Sequence, residues 1–464
     1  MKQSVLPLRL EIGLFLRIAL PLSAAYLAEL AMFITTKMVV GRLGYEQLAA
    51  VGIAGDLSFE ILVILMGLLS IVGVLAAQAE GAGDKARVGQ CIRQGFIVAT
   101  LIGLPATLLI WNLDLIFRAT GQDSRVVELA IEYLQGLSAI VLPVLWFAVL
   151  RNFLVALSRS MAVMLITVAA VFVNYLLTVW LVHGGWGIAA MGLFGAGLAT
   201  SIVSWAMFLC LLFYIYRQSS LRGYGVFRGR WFLDRVLSSE IMRLGIPVAG
   251  LTLLEAGMFI AASILSGFIG AKTLAAYGIV MSWAGIPFVI AMGLAEATMV
   301  RVAHAVGRGQ ILAARQAGRL GMILGVVLLT GLIIIPLGFA EKIIQIFITA
   351  QDPGFIEVSK LAAQFLMIAA LFQIFDGLQA ITARALRGFK DNIIPLWIAG
   401  FGYWVFGIGG GSLLAFKFDY GGAGLWWGLA LGLGVTSSLL CWRFNRFTRL
   451  QLALNSSRPL KVAS

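Results

Sequence analysis

Three carboxylic acids stand inside long apolar blocks of the chain: Glu29, Glu255 and Asp376. Each is a costly choice. An acid near the middle of a bilayer is disfavoured by roughly 2.5–3.5 kcal/mol on insertion scales, so it reads first as a functional residue. Glu255 follows Arg243 by twelve positions. At ~1.5 Å per residue it lies about 18 Å along a helix, near a bilayer midplane. A carboxyl deprived of water can take up and release a proton near neutral pH. When ionised and helped by carbonyl or hydroxyl oxygens, it can instead hold Na⁺. Either chemistry would couple an ion gradient to movement, and an acid can also pair with a cationic substrate.

Other chemistry-bearing residues are weaker candidates. Asp56 and Glu60 are four apart and read as charges favouring the first turns of a helix. Glu296 is five residues before Arg301 and reads as a snorkelling ion pair. Arg151, Arg159, Arg384 and Arg387 read as topology determinants at inner helix ends. His183 and His304 have no metal or triad partner in sequence, and Cys91, Cys210 and Cys441 lack disulfide or metal spacing. The chain contains no Gly-x-x-x-x-Gly-Lys-Ser/Thr loop, no Gly-x-Ser-x-Gly and no His-Glu-x-x-His. ATP coupling and hydrolytic chemistry are therefore not expected, nor is any cofactor beyond a coupling ion.

The elements that must position the acids follow from composition. Of 464 residues, 61% are hydrophobic and 12% charged, with a mean hydropathy of +0.99. The apolar residues form blocks of about 20 to 28, the length that spans a bilayer as a helix. Twelve helices are predicted: 13–36, 48–76, 93–114, 128–152, 161–182, 189–216, 243–269, 275–300, 315–341, 357–384, 393–416 and 421–442. Lys2 and Arg9 precede the first, which reads as a membrane helix and not as a cleaved signal. An even count puts both termini on one side. Of the 34 Lys and Arg, 26 fall on the terminal side and 8 on the other, which predicts cytoplasmic termini. The net charge of +13 is thus spread over short loops facing anionic lipid, and no nucleic-acid partner is expected.

Shifting the sequence by 226 aligns its halves. Arg17 falls on Arg243, Pro21 on Pro247 and Glu29 on Glu255; 48–53 falls on 274–279, and Gly81 and Gly83 on Gly307 and Gly309. These matches predict two six-helix lobes of the same orientation, a parallel repeat about a pseudo-twofold along the membrane normal. The expected boundaries are 1–216 and 241–442 for the lobes, 217–240 for a basic cytoplasmic linker carrying Arg217, Arg222, Arg228, Arg230 and Arg235, and 443–464 for a cytoplasmic tail. Facing lobes would make a central cavity, which points to a transporter. Tyr277, Trp283, Phe288, Met292, Phe372 and Tyr403 lie near the acids or on helices expected to face the cleft. Such a Met and aromatic lining would suit bulky apolar cations, partly by cation–π contact.

The chain resembles the multidrug and toxic compound extrusion (MATE) family, and within it the NorM-like branch. The resemblance covers essentially all twelve helices. It is carried by Gly41-Arg42-Leu43-Gly44 with 48–52, by Glu255, by Val300-Arg301-Val302-Ala303-His304 with Gly307, and by Asp376 followed by 386–391. It implies an all-α polytopic fold of two six-helix lobes and alternating access. It also implies efflux of organic cations or toxic metabolites in exchange for Na⁺ or H⁺, from the bacterial inner or plasma membrane, by a protein expected to act as a monomer. By the same resemblance Glu255 and Asp376 match cation-binding acids, which would hold Na⁺ in a sodium-coupled member, and Asn174 matches an N-lobe asparagine. One departure stands out: Thr36 replaces the first-helix Asp of many members, and Glu29, two turns earlier on the same face, either substitutes for that acid or only echoes the duplication. The alternative function is a flippase-like exporter of a lipid-linked or amphipathic metabolite. Acids at the midplane argue against it, and an intramembrane enzyme lacks a nucleophile–base pair.

Overall fold

A computed structural model describes residues 7–185, 187–229, 231–348 and 354–456. Lys2, Arg230 and the tail beyond 456 lie outside the described residues. Among the described residues, eleven helices are long and apolar enough to cross a membrane, and one bent pair, taken as a single span, makes a twelfth. A bilayer core offers no water to an open backbone, so these blocks satisfy their own N–H and C=O groups as helices.

In chain order the spans are α1 (Leu8–Gly41), α2 (Tyr45–Gly81), α3 (Lys85–Trp111), α4 (Ser124–Leu137 and Val141–Ala156), α5 (Met161–His183) and α6 (Gly192–Arg217). The second set is α7 (Arg235–Ile269), α8 (Ala271–Gly307), α9 (Ile311–Leu332), α10 (Phe355–Gly388), α11 (Ile393–Lys417) and α12 (Gly421–Ser456). The duplication read from sequence is present in the backbone. α2 and α8 are both 37 residues long and begin and end at matching positions of the repeat. The turns entering them use Gly44 (φ 147°) and Gly270 (φ 152°), and the turns leaving them use Gly83 (φ 78°) and Gly309 (φ 72°). These left-handed conformations favour glycine.

Several elements differ from expectation. The predicted 128–152 helix is broken at 138–140 and bent by 52°. Pro143 falls in the first turn of the second half, where it has no helical N–H to lose. The predicted 315–341 helix is likewise divided, into α9 and a short helix Ile334–Gln345 whose Phe339 leaves helical geometry. α3 starts earlier than predicted, because the Asp84 side chain caps it by accepting from the Arg87 backbone N–H at 2.9 Å. α2 also starts earlier, so Asp56 and Glu60 are not in its first turn, and Asp56 pairs with Lys37 at 2.7 Å. Within α11 the stretches Gly402–Gly409 and Leu413–Lys417 widen to π-helix. Facing them, α12 presents Gly428 so closely that an added Cβ would lie 2.2 Å from the Cα of Gly411. Small residues at this crossing let two backbones touch.

Two compact units result, one of residues 24–249 and one of residues 1–23 with 250–464. In the first, α2 packs on both halves of α4 and on α3, and α5 packs on α6. The segment after α6 folds back onto α3: Arg93 Nη1 donates to the Gly225 carbonyl at 2.6 Å, and Gln94 Nε2 to that of Phe232 at 2.6 Å. In the second unit α10 is the central helix, packed on α8, α9 and α12.

Candidate functional site

In the unit of 1–23 and 250–464, three helices bring the two predicted acids together. α10 carries Asp376 and, one turn on, Gln379; α7 carries Glu255; α11 carries Tyr403. Gln379 Nε2 donates to Glu255 Oε1 at 2.8 Å, and the Tyr403 hydroxyl donates to Gln379 Oε1 at 2.9 Å. The Gln379 side chain also reaches Asp376, whose charge is close enough to interact with that of Glu255. Asp376, Gln379 and Tyr403 are buried, at 5%, 1% and 0% exposure. Among the described residues Asp376 Oδ1 finds no hydrogen-bond donor, and the buried amide of Gln373, one turn earlier, finds no partner for either atom. Buried polar atoms nearly always find partners, so this concentration on one helix marks a polar centre in an apolar bundle.

The other predicted cavity residues fall into two groups. Tyr277 and Phe372 are core residues of this unit: both rings stand against Trp426, at centroid distances of 5.5 and 5.6 Å, and the Tyr277 hydroxyl donates to the Phe259 carbonyl at 3.0 Å. Trp283, Phe288 and Met292 are half-buried along α8.

The unit of 24–249 holds a second polar cluster, on the wall of an open cleft of about 940 Å³ with the solvent in its mouth included. Glu29, Thr36 and Asn174 all line it, as the shared face of Glu29 and Thr36 predicts. Thr36 Oγ1 stands 3.2 Å from Asn174 Oδ1 and 3.0 Å from the Met32 carbonyl, with one hydroxyl hydrogen to serve both. Glu29 is not an isolated acid. Arg151 Nη1 donates to Glu29 Oε1 at 2.9 Å, and the Arg151 guanidinium stands 5.1 Å from the centre of the Tyr26 ring. Arg151 is 8% exposed, so it does more than mark the inner end of a helix: it neutralises the carboxylate that sequence reading singled out.

Residues 21–180 and 247–412 match the sequence model of the MatE family. The chain belongs to the MatE family. Its curated relatives include a probable multidrug resistance protein NorM of Rhodopseudomonas palustris, 37% identical over 445 residues, covering 96% of this chain and 94% of the relative. The NorM of Brucella suis is 35% identical over 438 residues, covering 94% and 93%. Among solved structures, the eukaryotic MATE transporter AtDTX14 superposes with a TM-score of 0.85 at 24% identity, covering 96% of this chain and 98% of that one. An outward-facing MATE family transporter of the MOP superfamily does so at 0.85 and 18%, covering 95% and 96%. This MatE protein is therefore a multi-pass membrane transporter and not an enzyme.

Sequence reading of this MatE chain missed two partners. Gln379 was visible only as an amide one turn past Asp376 in an apolar helix, a signal equal in kind to the acid itself. Arg151 looked like a helix-end cation. The same holds for Glu296, which pairs with Arg384 on α10 at 2.9 Å instead of Arg301 on its own helix, while Arg301 holds Glu11 at 2.9 and 2.7 Å.

Proposed function

We propose that this MATE transporter is a secondary antiporter that exports organic cations, drugs or toxic metabolites in exchange for H⁺ or Na⁺. The observation that carries the reading is the Glu255–Gln379–Asp376 cluster: two carboxyls within electrostatic reach of each other, bridged by an amide inside an apolar bundle. Two such groups cannot both stay ionised cheaply in low dielectric, so the cluster favours taking a proton or a cation. For Na⁺, both carboxylates and neighbouring oxygens would be ligands; for H⁺, one carboxyl would hold it. Uptake of the ion shifts the population toward the conformation that binds it more tightly, and substrate export is coupled to that shift. On this reading the protein works as a monomer in a bacterial inner membrane with both termini cytoplasmic, and the distribution of Lys and Arg supports the side of the termini.

The multidrug resistance proteins among its relatives support drug export as the activity. The test is ethidium efflux from proteoliposomes under separately imposed Na⁺ and H⁺ gradients. Glu255→Gln and Asp376→Asn are each expected to abolish ion-driven efflux without loss of protein. Full gradient-driven efflux in either variant would remove the assignment.

A further inference from the structure

Away from both polar clusters, cations gather without acids where α9 packs on α12. Neither helix contains a carboxylate. α9 carries Arg315 and Arg319, and α12 carries Arg443, Arg446 and Arg449 in its last turns. Among the described residues only Arg443 of these five pairs with an acid, donating to Asp391 Oδ2 at 2.9 Å. The crossing is tight: a Cβ added at Gly318 would stand 2.3 Å from Phe444 Cζ. Arg315 and Arg319 are four apart on α9, and Asn445 and Arg449 four apart on α12, so each pair shares a helix face.

The guanidiniums turn toward one another instead of spreading into water. Arg319 Nε and Nη2 both donate to a single neutral oxygen, Asn445 Oδ1, at 3.1 and 2.7 Å. Arg315 Nε is shielded from solvent and finds no acceptor among the described residues. Arg315 lies within electrostatic reach of both Arg319 and Arg449. Like charges drawn together repel, and the cost falls when an anion enters between them. Arginine forks match phosphate oxygens in pairs.

The surface beside the cluster is amphiphilic. Trp442, Arg446 and Leu450 follow at four-residue spacing along α12, all exposed, and the Arg446 guanidinium lies 5.1 Å from the centre of the Trp442 ring. A tryptophan under a cation at the end of a span is the residue pairing of the headgroup level of a bilayer. A soluble phosphate would use the guanidiniums and leave Trp442 and Leu450 bare; a lipid uses both.

We propose that Arg315, Arg319 and Arg449 bind the phosphate headgroup of an anionic phospholipid at the α9–α12 crossing, with its acyl chains along the exposed side of α12. Because Arg446 adds a fourth cation without an acid, a two-phosphate headgroup such as that of cardiolipin fits best. Basic pockets between membrane helices recognise such lipids.

The full chain purified in detergent is titrated with cardiolipin and, separately, with neutral phosphatidylcholine, and native mass spectrometry reads the bound lipid. Cardiolipin is expected to bind about a hundredfold more tightly. Arg315→Gln/Arg449→Gln should weaken cardiolipin binding about thirtyfold, from two cations at ~1 kcal/mol each, and leave phosphatidylcholine within about twofold. Arg217→Gln/Arg222→Gln removes the same charge from the other unit and should change cardiolipin binding by less than about twofold. Equal losses in the two double variants would reduce the effect to net charge and overturn the site. So would equal affinity for the two lipids, or displacement of cardiolipin by millimolar inorganic phosphate, which would make the cluster a soluble-anion site. Neither substituted arginine leaves an acid behind, so the lipid-free thermal midpoint of Arg315→Gln/Arg449→Gln should match or exceed that of the unaltered chain. A lower midpoint would show that the two cations serve the fold, and would also overturn the proposal.

Discussion

Gln379 is the hinge of the site in the 1–23 and 250–464 unit, and its removal gives a worked test. Gln379→Leu keeps the approximate volume and deletes both hydrogen bonds. The Tyr403 hydroxyl is fully buried and donates to Gln379 at 2.9 Å. Without that acceptor it becomes an unsatisfied donor at a cost of about 1–3 kcal/mol. Glu255 loses a donor at 2.8 Å but is only half-buried, so its loss is smaller, on the order of 1 kcal/mol. The sum is about 2–4 kcal/mol. For a cooperative unit of this size, ~1 kcal/mol moves the thermal midpoint by about 2 °C, so Tm is expected to fall by roughly 4–8 °C. Adding Tyr403→Phe removes the stranded hydroxyl and should restore about 1–2 kcal/mol, a coupling visible in a double-mutant cycle by thermal unfolding. The reasoning fails if Gln379→Leu costs the same with and without the Tyr403 hydroxyl. Ion-driven efflux should fall in both variants, because neither holds Glu255 with the amide.

Three further outcomes are expected. Arg151→Met leaves Glu29 without its guanidinium and should destabilise the protein by about 2–4 kcal/mol, and adding Glu29→Gln should recover more than half of that in thermal unfolding. Gly428→Ala should cost about 1–3 kcal/mol, because its Cβ meets the Gly411 backbone, whereas Gly331→Ala, with nothing within 4 Å, should be neutral or stabilising. The Tyr224 hydroxyl donates to Glu80 Oε1 at 3.0 Å outside the spans, and burial together with that carboxylate pushes its pKa up to about 12. Its contribution to stability is therefore complete below about pH 10 and is lost as pH rises from there through about 12; Tyr224→Phe should flatten thermal-unfolding curves over that window.

The spans and the duplication were legible because both depend on local composition. Apolar length fixes a membrane helix, and glycines such as Gly44 and Gly270 sit where the backbone turns left-handed in each half. Thr36 and Asn174 were placed in one cluster by family resemblance, and they do meet. The break in α4 was not legible, since 138–140 reads Ser-Ala-Ile with neither Gly nor Pro. Nor were the partners of the acids. Arg151 and Glu29 are 122 residues apart, as Gln379 and Glu255 are 124 apart. Which side chain crosses a bundle to meet an acid is decided by helix rotation and packing, which hydropathy does not encode.

The Glu29–Arg151 pair has an electrical consequence. A carboxylate locked to a guanidinium is a dipole of zero net charge, and carrying it through part of a membrane potential does little work. Glu296 with Arg384 and Glu11 with Arg301 are neutral in the same way. Glu255 and Asp376 share the Gln379 amide as a neighbour, and in the antiport proposed above the charge there changes with what the site holds. Each elementary charge moved through 100 mV corresponds to about 2.3 kcal/mol. In the antiport proposed above, voltage sensitivity would therefore belong to one half of a duplicated structure, although both halves carry the acid.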